Sequence, residues 1–154
     1  MIAGQIAYKE GYKYQLDQDY QVIIAITPER AISSDFISLQ TDGLLTIGKG
    51  YAWDGPSGPA FDTKDFMRGS LVHDALYQLI REAAPAPSLA PATLRHPCLS
   101  HGLDISYRKL ADQILQTICK EDGMSSLRAC WVYLGVRFGG GACVDYENPV
   151  RFAP

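Results

Sequence analysis

The residues with the clearest capacity for chemistry are His73, Asp74 and Tyr77 in the segment RGSLVHDALYQL, together with Asp112 in LADQIL. His73 and Tyr77 stand four apart and so share one face of a helix, with Gly69 a turn earlier leaving room beside the imidazole. Asp74 is turned about 100° away from His73, which frees it for a metal or a polar loop rather than for orienting that ring. Asp112 sits beside an apolar stripe, where a carboxylate removed from water needs a hydrogen-bonding partner, and an imidazole from a neighbouring helix supplies one. A carboxylate that accepts from one ring nitrogen fixes the tautomer and leaves the other nitrogen basic, the state in which histidine takes a proton from water. His73 with Asp112 is therefore a candidate general-base dyad. The same residues have a plainer reading: Arg108, four before Asp112, pairs with it on an exposed helix face, and His73 is a satisfied core histidine. Spacing alone leaves both open.

These side chains must be held by helices. Phe66, Val72, Leu76, Leu79 and Ile80 supply an apolar stripe to a helix beginning near Asp65, capped by Asp62 or Thr63 and ending near Arg81. A second helix starts at Asp104 or Ser106, has Tyr107, Ala111, Ile114, Leu115 and Ile118 along one apolar face, and finds its C-terminal cap in Gly123. Ser125 caps a third, whose Leu127, Trp131, Leu134 and Phe138 recur at the spacing of one stripe, read as core, before Gly139, Gly140 and Gly141 end it. Ahead of the helices, Tyr20 to Ile26, Asp35 to Gln40 and Leu44 to Gly48 are β-branched or aromatic runs spaced by turns, with Tyr12 and Tyr14 as a further edge strand. Residues 50 to 59, GYAWDGPSGP, form a bent, proline-stiffened candidate binding loop.

The fold class that follows is α+β: an N-terminal antiparallel β-sheet followed by three helices in one domain, 1–154. Residues 1–60 are mainly β and the binding loop, and 61–141 mainly helical. Residues 83–103 carry prolines 85, 87, 91 and 97 over the surface. A chain of 154 residues fits a single core, and 47% hydrophobic residues are enough to build one. A formal charge of −3 with scattered basic residues offers no cationic track for nucleic acid. No signal peptide and no membrane-spanning run is visible. Cys98, Cys119, Cys130 and Cys143 lack CxxC spacing and are expected as thiols, a Cys119–Cys130 disulfide being the alternative.

The order GYAWDGPSGP, RGSLVHDALYQL, YRKLADQIL and LRACWVYLGVRFGG resembles an uncharacterised phage and prophage family marked by a TDGxSxP-like loop, HDxLY, ADxxF and a closing VRxxG. Trp53 stands where that family has Thr, and Ile114 and Leu115 stand around its Phe. The likeness covers roughly Gly50 to Gly141. It implies a viral or prophage origin, synthesis in the host cytoplasm, and association with the virion or its proteins. A more distant resemblance is to phospholipase A2-like domains, which place a glycine-rich calcium loop, HDxxY and a later helical Asp in this order. That resemblance implies that His73 activates water, Tyr77 supports it and Asp112 orients it. It further implies that Asp74, with Asp54 and the backbone of Gly55 to Gly58, binds calcium, on a lipid or cell-envelope substrate. The cysteine-containing calcium loop of the secreted enzymes is absent, and Pro56 and Pro59 stiffen its replacement. A transition metal on His73, Asp74 or Asp112 with His96 or His101 is the lesser alternative, zinc being suited to such ligands although no HExxH-like spacing is present. A non-catalytic phage structural or accessory protein remains the alternative to a hydrolase.

Overall fold

The computed structural model describes residues 8–9, 14–55, 63–83, 103 and 105–144. Within them the chain is α+β, with antiparallel strands first and three helices after. The strands are β1 (Tyr8–Lys9), β2 (Tyr14–Leu16), β3 (Tyr20–Ile23), β4 (Ile32–Ser33), β5 (Ile37–Leu39), β6 (Leu44–Ile47) and β7 (Ala52–Trp53). They form two sheets where the sequence suggested one, ordered β1-β2-β7 and β3-β6-β5-β4. The division follows from the pairing: β2 takes β7 as its partner, Tyr14 opposite Trp53, whereas β3 pairs with β6, Tyr20 opposite Ile47.

The four-stranded sheet buries one face by simple alternation. Ile37 and Leu39 of β5 and Leu45 and Ile47 of β6 are all buried, and the residues between them are less so. The turn into β6 needs Gly43, because its φ is +86° and a Cβ there would lie 2.5 Å from the Ile24 carbonyl oxygen. Residues 50 to 59 are not loop throughout. β7 lies inside them, and the buried Trp53 rests 5.5 Å from the Tyr14 ring.

The first helix, α1 (Lys64–Ala83), is buried on most of its circumference. Met67, Leu71, Val72, Ala75, Leu76, Leu79 and Ile80 join the same core as both sheets. A short 3-10 turn, Ile105–Tyr107, leads into α2 (Arg108–Glu121), whose Ala111, Ile114, Leu115 and Ile118 are buried as their spacing predicts. Gly123, at φ +98°, closes α2: its N–H donates to Lys120 O and that of Met124 to Cys119 O, satisfying the last-turn carbonyls. The α1 and α2 axes run antiparallel. Arg68, near the start of α1, meets Glu121 and Asp122 at the end of α2, whereas Tyr77 meets Asp112 a few turns away.

The third helix, α3 (Ser126–Val144), starts at the expected cap, Ser125 accepting from the backbone N–H groups of Arg128 and Ala129. It continues through the three glycines to Val144 instead of ending at them. Its buried face is also not the predicted one. Ala129, Val132 and the partly buried Val136 pack with Phe66, Leu115, Cys119 and Met124, while Leu127, Trp131, Leu134 and Phe138 are exposed by 73%, 71%, 40% and 84%. Both faces of α3 are apolar, so periodicity marks two stripes, and the smaller residues take the inside. Cys119 is a buried thiol pushed up to about 12 by burial, and Cys130 is an exposed one, so the alternative disulfide between them is not formed.

At Gly69 α2 packs closely on α1: an added Cβ would lie 2.7 Å from Cys119 Sγ and 3.0 Å from Leu115 Cδ1. At Gly135 of α3 nothing lies within 4 Å. Gly69→Ala should therefore lower stability by about 1–3 kcal/mol through overpacking. Gly135→Ala should be neutral or stabilising by up to about 1 kcal/mol through helix propensity. Urea unfolding of the two variants checks both signs.

Candidate active site

The face of α1 that carries Gly69 also carries His73 and Tyr77, and all three turn toward α2. The space that Gly69 leaves is filled by Cys119 and Leu115 of α2 rather than standing open beside the imidazole, and His73 is only 8% exposed. Tyr77 is buried next to it, ring centroids 4.2 Å apart. On the facing side of α2 lies Asp112, with no exposed surface at all.

Asp112 is satisfied by three donors. Its Oδ1 is 2.9 Å from His73 Nε2 and accepts a 2.7 Å hydrogen bond from the Tyr77 hydroxyl, and its Oδ2 accepts a 2.9 Å bond from Arg137 Nη1 of α3. Burial pushes the Asp112 carboxyl up, but the bonds from His73, Arg137 and Tyr77 outweigh it and hold the group below its ordinary 3.8. An ionised carboxylate only accepts, so His73 carries its proton on Nε2, and in the neutral ring Nδ1 is the basic nitrogen. Burial likewise works against an imidazolium at His73. The bonds with Asp112 and the closeness of Asp74 outweigh that too, and His73 is held above its ordinary 6.5. Tyr77, pushed up to about 12 by burial and by its bond to Asp112, stays a donor.

Two sequence-based readings change here. Arg108 does not take Asp112: it lies over the Tyr77 ring, 5.6 Å from the centroid, and Arg137 holds the carboxylate instead. Nor does Asp74 turn away from His73. Its Oδ1 is 3.7 Å from His73 Nδ1, because a side chain one position on still reaches back across the helix surface, and its own side chain is 31% exposed.

The loop that precedes α1 is fastened near this site. Trp53 Nε1 donates to Ser70 Oγ at 3.2 Å, and Ser70 donates to Met67 O, so β7 is tied to α1 one turn before His73. Burial raises the Tyr51 phenol far above its ordinary value, and the charge of Asp74 adds to the rise. Gly55, at φ +72°, lies against Tyr14, where a Cβ would come 2.5 Å from the ring. Gly58, His96 and His101 lie outside the described residues.

Among the described residues no group of three or more His, Cys, Asp or Glu side chains converges to hold a metal. Asp74 and Asp54 would supply two of the six to eight oxygens that calcium takes. These residues do not make up a calcium site by themselves. Arg137 is the partner of Asp112 that spacing missed. No helical periodicity links it to Asp112, and only its place in the VRxxG segment marked it. No family model, no curated protein and no solved structure matches the chain.

Because folding raises the pKa of His73, its contribution to stability is whole below about 6.5 and is lost as pH rises through the folded value. Asp112, with its pKa lowered, contributes above 3.8 and loses that contribution as pH falls through its folded value. Imidazole NMR titration reads the coupling directly. Asp112→Asn should lower the His73 pKa, and Arg137→Met, which removes a competing cation from the same carboxylate, should raise it.

Proposed function

We propose that the chain is a hydrolase in which His73 is the general base on water and Asp112 is its positioning residue. The observation that carries this reading is the Asp112 Oδ1 shared between His73 Nε2 and Tyr77, which leaves Nδ1, 3.7 Å from the partly exposed Asp74, as the basic nitrogen. In the neutral state Nδ1 takes a proton from water as the water oxygen adds to an ester carbonyl. The resulting imidazolium lies between Asp112 and Asp74, whose charges stabilise it. Nδ1 then returns the proton to the departing alkoxide, leaving acid and alcohol. The likeness of HDxxY followed by a helical Asp to phospholipase A2-like domains supports a lipid or other cell-envelope ester as substrate. The likeness to the phage and prophage family supports a viral origin, synthesis in a host cell and action at its envelope.

A second reading has its own observations. Both Asp112 oxygens are engaged, His73 is largely buried and α3 exposes a large apolar stripe, all of which suit a non-catalytic virion or accessory protein whose polar cluster fixes the helices. No helix among the described residues is long and apolar enough to cross a membrane.

Hydrolysis of phospholipid, acyl-ester and peptidoglycan substrates by the wild type, His73→Ala and Asp112→Asn separates the readings. On the first, wild-type rates rise with pH as His73 loses its proton, and each variant loses about 10²–10⁴-fold. Absence of wild-type hydrolysis on all three substrates, with both variants strongly destabilised, leaves the second.

For a cation we propose calcium ahead of zinc, because Asp74 and Asp54 are hard oxygen donors. Thermal unfolding in saturating calcium should then give a higher midpoint than unfolding with chelator, by mass action on the folded state. Equal midpoints remove calcium from the reading and leave the His73 base untouched.

A further inference from the structure

The exposed residues of α3 are not scattered. Leu127, Trp131, Leu134 and Phe138 are separated by four, three and four positions, the 4-3-4 pattern of a coiled-coil seam, whereas a helix that buries a broad face in its own domain carries a wider stripe. The domain already uses the opposite face, through Ala129, Val132 and Val136. The seam is thus a second apolar surface on α3, and it stays largely exposed.

We propose that this seam pairs with the same seam of a second copy of the chain, the two α3 helices running antiparallel about a two-fold axis. Three observations fit a copy of itself. In antiparallel register a seam position faces its alternate: Trp131 meets Leu134 of the partner subunit, and Phe138 meets Leu127 of the partner subunit. Each aromatic ring thereby packs on a leucine, and large side chains alternate with smaller ones.

The flanks are also compatible. Beside the seam stand Cys130 and Arg137 on one edge and Gly135 and Arg128 on the other, with no acidic side chain among them. Arg128 and Arg137 are already engaged by Asp65 and Asp112 of their own chain, so they neither demand an acidic partner nor face one another in this register. Gly135, with nothing within 4 Å, lets the second helix approach closely.

The area suffices as well. Two aromatic and two leucine side chains at these exposures offer roughly 500 Å² per copy, so two copies bury about 1,000 Å², at the threshold for a specific interface before any rim is counted.

Sedimentation equilibrium of the full chain from low to high micromolar, with Trp131→Glu and Phe138→Glu beside the wild type, tests the proposal. These side chains are 71% and 84% exposed, so the variants should keep the wild-type circular dichroism, and the wild-type unfolding midpoint at concentrations where both are monomeric. Leu127→Ser serves if either fails to fold. The expected result is a wild-type monomer–dimer equilibrium whose dissociation constant rises by about 30-fold or more in each glutamate variant. A wild type that stays monomeric at high micromolar overturns the proposal, as does a dimer indifferent to all three substitutions. Seam-dependent binding of the monomer to phosphatidylcholine–phosphatidylglycerol vesicles without dimerisation overturns it in favour of a lipid surface.

Discussion

A carboxylate with no exposed surface, Asp112, fixes how the three helices come together. An ion of this kind withdrawn from water costs several kcal/mol unless its lone pairs are filled, and here they are filled from both neighbouring helices. His73 and Tyr77 come from α1 and Arg137 from α3, so α2 is satisfied only when both flanking helices are in place. The opposite end of the α1–α2 pair is held by the buried Arg68 against Glu121 and Asp122. Between the two ionic clusters, the bare backbone of Gly69 lets Cys119 and Leu115 approach. Apolar burial draws these helices together, and the two clusters choose the register in which they stop.

The same arrangement sets opposing demands on His73. Two carboxylates nearby favour its charged form, which strengthens the fold, while a general base must be neutral to accept a proton. The raised pKa therefore makes the folded protein more stable and the neutral imidazole scarcer at the same pH. Asp112 resolves part of this. Because it engages Nε2 in either protonation state, the ring need not reorient when the proton moves, and Nδ1 keeps its direction toward Asp74. Arg137 tempers the effect by drawing on the other oxygen of the carboxylate. A histidine with Asp112 alone would be more firmly protonated than one whose partner is shared with a guanidinium and a phenol.

How far the sequence reveals this depends on whether a feature is local. The α1 and α2 stripes, the Gly123 cap and the Ser125 cap are readable because each rests on residues within a turn or two of one another. The pairing of His73 with Asp112 was readable because a helical imidazole and a half-apolar helix bearing one carboxylate are complementary in chemistry. Arg137 was not, since nothing in LGVRFGG says which helix it will face. The separation into two sheets was hidden for a similar reason: β2 finds β7 across most of the β region, and two-residue strands such as β4 carry too little pattern to announce a partner. Asp74 departs from the idealised rotation, because about 100° between Cα–Cβ directions does not keep its carboxylate from coming within 3.7 Å of the ring.

The inversion of α3 has a further cause and a further consequence. A helix that must bring Arg137 to within 2.9 Å of a buried carboxylate on α2 has to lie close, and Ala129 and Val132 at the contact permit that where Trp131 and Phe138 would hold the axes apart. Close packing thus selects the small stripe for the inside, and the large stripe is left facing outward with Arg137 along its edge. The polar cluster and the outer apolar surface are in this sense one decision: relocating the large residues to the core would widen the α2–α3 spacing and draw the guanidinium off Asp112. Whatever seats itself on that outer stripe touches the helix that holds the carboxylate orienting His73.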